Sequence, residues 1–307
     1  MSDYRVGVID VGSNTIKLLI AERDGTEGVR SARFEVEEVR IGEGLIGNPP
    51  RIDSDAMARG AKAIGRLARM ARSEKVGALR MVATSAVRDA ANRADFIELA
   101  RREADCQLTV LDGESEARYI GMGLRTDRSL RSLDSYTLLD LGGGSLECIQ
   151  FSDGTSKLVR SLNLGAVRLA SEFVRDRSLP LHAEVEEAIA KRVPFAFEQA
   201  NIAQGSSPSP NAVLTGGTAA LIAGAHHRNL DTGLALAEIA AFHRSVSGMH
   251  QSARIEEMEI PPARSDIFPT ATTILLSALE YLGCGRVYFS SRNLRFGIAS
   301  ELLSKLA

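Results

Sequence analysis

One segment of this chain occurs twice. IDVGSNTIKLLIAERDG begins at Ile9 and LDLGGGSLECIQFSDG begins at Leu139. In both, a run of apolar residues ends in an aspartate, a tight turn follows, and a second apolar run closes on an Asp-Gly pair, Asp24-Gly25 or Asp153-Gly154. Asp10 falls on Asp140, Gly12 on Gly142 and Thr15 on Ser145. Each copy reads as a buried β-hairpin. The separation is far wider than the ~20–50 residue period of a solenoid, so it points to two copies of one α/β domain. Length agrees, since 307 residues exceed what one hydrophobic core usually serves.

The segments behind each hairpin support that reading. In the first half, 27–40 alternates as a third strand, and 54–73 carries Met57, Ala61, Ile64, Leu67, Ala68 and Ala71 as a helical stripe capped by Asp53 or Ser54. Strands over 79–83 and 108–111 alternate with helices over 93–103 and 114–124. In the second half the pattern predicts strands over 156–162, 212–214 and 286–289. It predicts helices over 166–175, 183–203, 235–249, 268–282 and 295–306, with a surface loop over 204–211. Such alternation defines an α/β sheet protein. The polar stretch 125–135 separates the halves, giving domains over 1–125 and 126–291.

Composition closes off several classes. With 44% hydrophobic and 25% charged residues, 27 Gly and 9 Pro, the chain is neither disordered nor low in complexity. A net charge of −2 supplies no field for nucleic acid or membranes, so neither is an expected partner. Cys106, Cys148 and Cys284 are scattered, which fits a reducing compartment and excludes a disulfide scaffold or CxxC zinc site. No signal peptide or membrane span is legible, and the expected location is cytoplasmic.

Three segments share one design, a strand end followed by small residues with hydroxyls and amides available for a ligand. They are Gly12-Ser13-Asn14-Thr15, Gly142-Gly143-Gly144-Ser145 and Thr215-Gly216-Gly217-Thr218. Consecutive amides in such turns form a concavity that suits phosphate oxygens. Neither GxxxxGK[ST] nor GxGxxG occurs, which disfavours a P-loop NTPase and a Rossmann dehydrogenase. The expected phosphate ligands are Ser13, Asn14, Thr15, Gly143, Gly144, Ser145, Gly216, Gly217 and Thr218. Asp10 and Asp140, each at a strand end before its turn, suit Mg²⁺ or Mn²⁺ held beside a phosphate; the alternative is a carboxylate bonded to its own turn. Arg88 follows a strand and is placed to grip phosphate. Glu147 shares the strand face of Ser145. Glu114 and Glu116 read, from position alone, as first-turn acids favoured by the helix dipole.

The segments GVIDVGSNTIKLLI (7–20), ATSAVRDAANRADFI (83–97), LDGESEARYIGMG (111–123) and LLDLGGGSLECIQ (138–150) resemble the exopolyphosphatase and guanosine pentaphosphate phosphohydrolase family, Ppx/GppA. That family lies within the superfamily of sugar kinases, chaperones and actin. SLNLGAVRL (161–169), RSDIFPTATTIL (264–275) and SSRNLRFGI (290–298) extend the resemblance over nearly the whole chain. It implies an α/β fold of two duplicated actin-like, ribonuclease H-like domains with an interdomain cleft, the last helix (292–307) returning to the first domain. It implies Glu116 as the base for the attacking water, Arg88 beside the substrate, and Glu147 helping to hold metal or water. The implied substrate is inorganic polyphosphate, with pppGpp the alternative; a homodimer is compatible. A small-molecule kinase of the same superfamily and a non-catalytic phosphate or nucleotide sensor stay open. Departures from the family pattern stand out, and Thr215-Gly216-Gly217-Thr218 in place of a Gly-Ser-Gly-Thr-like segment is the first. The family's Leu-Arg-Glu-Gly is Leu294-Arg295-Phe296-Gly297 here, and the chain resembles the short two-domain branch.

Overall fold

The computed structural model describes residues 4–25, 28–46, 49–226 and 232–306. These fall into two units, Met1–Arg128 with Arg292–Ala307, and Ser129–Ser291.

The first unit opens with β1 (Arg5–Val11), β2 (Thr15–Asp24) and β3 (Gly28–Glu38), continues through β4 (Leu45–Ile46) and β5 (Arg51–Ile52) into α1 (Ser54–Ser73), and returns as β6 (Ala78–Ala83). After β6 come α2 (Ser85–Asp89), α3 (Arg93–Ala104), β7 (Leu108–Val110) and α4 (Gly113–Leu124). The sheet runs β3-β2-β1-β6-β7, with β1, β6 and β7 parallel. β1 is buried on both faces apart from its first residue, as a central strand between helical layers must be. The Asp53 carboxylate caps α1 by accepting from the Asp55 and Ala56 amides at 3.0 and 3.2 Å. The third strand starts at Gly28; Glu27, where the pattern begins it, lies outside the described residues.

The second unit repeats the plan. β8 (Tyr136–Leu141), β9 (Leu146–Ser152) and β10 (Thr155–Leu162) are followed by α5 (Ala166–Phe173), α6 (Ala183–Gln199), β11 (Asn211–Thr215) and α7 (Gly216–Ala225). Then come β12 (Leu234–Ala235), α8 (Leu236–Ser247), α9 (Gln251–Glu256), α10 (Pro262–Ser265), α11 (Phe268–Leu282) and β13 (Arg286–Phe289). The sheet order, β10-β9-β8-β11-β13-β12, matches the first unit with one short antiparallel edge strand added. The repeat holds to the residue. Asp10 lies opposite Lys17 and Asp140 opposite Glu147. The Gly12 amide donates to the Thr15 carbonyl at 3.1 Å, and the Gly142 amide to the Ser145 carbonyl at 2.9 Å.

The third of the small-residue segments departs from the sequence pattern. Thr215-Gly216-Gly217-Thr218 is no loop, because α7 starts at Gly216 directly after β11. Gly216 turns the chain from strand to helix in one residue, at φ 92°, a conformation other residues rarely adopt.

Finally α12 (Leu294–Lys305) packs in the first unit and buries Leu294, Phe296, Ile298, Ala299, Leu302 and Leu303. It meets α4 backbone to backbone. A side chain at Gly297 would land on the Tyr119 carbonyl, and one at Gly123 on the Asn293 carbonyl. The Tyr119 hydroxyl donates to Glu301 Oε2 at 2.6 Å. Hydrogen bonds from Lys305 and then Tyr119 hold the Glu301 carboxyl down at about 2. Among the described residues, no helix is long and apolar enough to cross a membrane.

Candidate active site

In the first unit the β1–β2 turn is held from behind. The Ser13 carbonyl accepts from the Gly42 amide at 2.7 Å, and the Asn14 carbonyl accepts from the Val39 and Arg40 amides at 3.2 and 2.9 Å. Because a trans peptide points its N–H opposite to its carbonyl, fixing Ser13 O turns the Asn14 amide to the other side. Ser13 Oγ lies 3.0 Å from Ser85 Oγ, which joins the turn to the start of α2. Ser13, Asn14 and Thr15 are all buried.

α2 presents Arg88, whose Nη1 donates to Glu116 Oε2 at 2.8 Å and to the Leu111 carbonyl at 3.1 Å. Asp112 caps α4 by accepting from the Ser115 amide at 2.7 Å, and that bond keeps its carboxyl below the usual range. The cap fixes where the first turn of α4 points. Glu116 is buried at 6% exposure, whereas Glu114 is exposed. A buried carboxylate fastened to a guanidinium stays ionised and can accept a hydrogen bond from water, and so orient it.

At the end of β1, Asp10 is occupied otherwise than its sequence position suggests. Its Oδ2 accepts from Arg295 Nη1 of α12 at 2.8 Å, and both residues are buried. With Lys17 opposite, this carboxylate already has cationic company and does not fit a divalent ion.

In the second unit, α5 clasps the Gly-rich turn. The Gly142 carbonyl accepts from the Ala166 amide at 3.0 Å, and the Gly143 carbonyl from the Val167 and Arg168 amides at 2.9 and 3.0 Å. Arg168 Nε donates to the Gly144 carbonyl at 2.8 Å. The Gly143, Gly144 and Ser145 amides are thereby turned away from α5. Asp140 and Glu147, 7% and 2% exposed, oppose each other across β8 and β9, so their side chains share a face. Ser161 Oγ donates to Glu147 Oε1 at 2.8 Å. Two neighbouring carboxylates with hard oxygen donors fit Mg²⁺ or Mn²⁺. Among the described residues there is no cluster of three or more His, Cys, Asp or Glu placed to hold a metal. The α7 N-terminus adjoins Asp140, since a Cβ on Gly216 would come within 2.6 Å of Asp140 Oδ1. Arg264 lies against Gly217, Thr218 is buried, and the buried Thr215 Oγ1 has no hydrogen-bond partner among the described residues.

The structure thus places Asp10, Ser13, Asn14, Thr15, Arg88 and Glu116 in the first unit. Asp140, Gly143, Gly144, Ser145, Glu147, Gly216, Gly217 and Thr218 lie in the second. Sequence reasoning missed Ser85, Arg168, Arg264 and Arg295. The last sits beside Phe296, where the absent family glutamate draws attention away from the arginine.

Two α/β units of one topology, each with an aspartate and a phosphate-type turn between its first strands, form a duplicated actin-like fold. The chain belongs to the Ppx/GppA phosphatase family, whose model matches residues 21–306. Similar solved structures include an Aquifex aeolicus member of that family, 21% identical with a TM-score of 0.79, covering 99% of this chain and 98% of that one. An exopolyphosphatase from Cytophaga hutchinsonii is 21% identical with a TM-score of 0.85, covering 98% of each chain. At that identity the two structures speak for the fold; family membership makes the chain a phosphohydrolase.

Proposed function

We propose that the protein is an exopolyphosphatase that removes the terminal phosphate of inorganic polyphosphate. The observation that carries this reading is the bond from half-buried Arg88 to buried Glu116, with the Ser13–Ser85 contact in the same unit. Turns of this kind offer amides and hydroxyls to phosphate oxygens, a donor set that suits a repetitive anion without a recognition group. Glu116 accepts a proton from water as its oxygen bonds to the terminal phosphorus, and Arg88 holds Glu116 in place. The bridging P–O bond breaks, its electron pair leaves with the shortened chain, and orthophosphate is released. Asp140 and Glu147 would hold a divalent ion, which when bound offsets charge on the phosphate oxygens.

Phosphate release from short polyphosphate, long polyphosphate and pppGpp, with and without Mg²⁺, tests the proposal. Faster release from polyphosphate is expected, with EDTA removing most activity and Mg²⁺ or Mn²⁺ restoring it. Preference for pppGpp overturns the substrate; full turnover in EDTA overturns the metal.

A further inference from the structure

Residues 28–38 read GVRSARFEVEE, with both cations before Phe34 and all three carboxylates after it. They form β3, an 11-residue edge strand of the first unit's sheet. A long edge offers its amides and carbonyls to another chain unless its side chains repel one. The pairing with β2 shows which side chains share a face. Arg33 lies opposite Ile20 and Ser31 opposite Ala21, so Ala32 is the extra residue of a β-bulge. Counted past the bulge, Arg30, Arg33, Glu35 and Glu37 lie on one face, opposite Glu22, Ile20, Leu18 and Ile16. Phe34 and Val36 lie on the other face and are 48% and 44% exposed. Within the chain Arg30 pairs with Glu22, Arg33 with Glu35 and Glu74, and Glu37 with Arg66.

Charge guards an edge when an incoming strand meets its like. Here an antiparallel copy meets the opposite sign. Laid with Phe34 against Phe34 and Ala32 passed over, a second β3 brings Arg33 to Glu35 and Arg30 to Glu37 on each side of the axis. Opposite charges directly across an antiparallel pair are favourable, and like charges there are not. The other face sets Phe34 on Phe34 and Val36 on Ser31, covering the exposed apolar pair. We propose that two copies of this chain associate through β3, antiparallel about a two-fold axis at Phe34, joining two five-stranded sheets into one. The new ion pairs extend the network each chain already has. No substrate or metal enters the inference, so it stands apart from the proposed function.

Sedimentation velocity of the full chain over a concentration series tests it, with passage from monomer to dimer expected. Arg33→Glu alone and Glu35→Arg alone each set like charges across the axis, and each should dimerise about tenfold more weakly or worse. An equimolar mixture of the two variants should recover wild-type affinity within about threefold, because each chain supplies the charge the other has lost. A wild type that stays monomeric, a dimer indifferent to both substitutions, or a mixture no tighter than its parts overturns the proposal. Should either variant fail to fold, Phe34→Cys serves. Directly opposed residues have Cα atoms about 4.5–5.5 Å apart, within the span of a disulfide. The two copies of residue 36 would lie about 14 Å apart. Oxidation should therefore link Phe34→Cys into dimers and leave Val36→Cys and wild type, with its native cysteines, unlinked. Failure of Phe34→Cys to link, or equal linking of Val36→Cys, overturns the proposal.

Discussion

Glu114 and Glu116 stand in the same turn of α4, and burial separates them. Glu114 faces solvent, while Glu116 is enclosed and fastened to Arg88. Glu116→Gln keeps size and hydrogen-bonding capacity but cannot take up a proton. Its kcat is expected to fall by about 10²–10⁴-fold with polyphosphate binding retained. Glu114→Gln, measured in the same assay, should stay within about threefold of wild type. Arg88 bonds to Glu116 as well as being placed for phosphate, so Arg88→Ala should lower kcat and raise KM together. A rise in KM alone would confine Arg88 to substrate binding.

At the scale of the element, α12 braces the helix that carries Glu116. Gly297→Ala would press a methyl group onto the Tyr119 carbonyl, and overpacking of that kind costs about 1–3 kcal/mol. A lower Tm is expected in calorimetry, with reduced kcat because α4 shifts. Gly224→Ala is the control; among the described residues nothing outside its own helix lies within 4 Å of a Cβ there, and gaining a better helix former is neutral or stabilising by up to about 1 kcal/mol. Acid should loosen the same junction. The Glu301 carboxyl sits at about 2 against an ordinary 4.5, so its contribution is complete above 4.5 and is lost as pH falls toward 2. The Tm difference between wild type and Glu301→Gln should therefore be present at neutral pH and close across that window. Elements differed in how far the sequence disclosed them. α1 was plain, because a capping aspartate precedes an apolar stripe at helical spacing. α7 was hidden, because Gly-Gly at its start reads as a turn and its apolar residues surround the helix without a polar face. Arg295 was beyond local reading altogether; its partner Asp10 lies 285 residues away.

For the whole molecule, the duplication was legible because the hairpins are local and their Asp-x-Gly patterns align without gaps up to the turns. The pairing of the last helix with the first unit entered only through family resemblance, since nothing in a helical stripe names the surface it will cover. That pairing has a measurable effect. A fragment spanning 129–291 holds a complete hydrophobic core and is expected to unfold cooperatively. A fragment spanning 1–128 lacks α12 and leaves the Asp10 carboxylate without Arg295. It should show weak near-ultraviolet dichroism, recovered on adding a 292–307 peptide; a cooperative 1–128 fragment would show the helix to be dispensable.

The repeat also carries a history. Two identical copies acting together must spell every position the same way, so a substitution that helps one copy is imposed on the other. Lys17 in one hairpin and Glu147 in its twin is a combination that identical copies could never encode. Once a single gene held both, selection could act on each separately. The division of charge between the two aspartates is thus open to a chain that carries both copies and closed to a pair of identical ones.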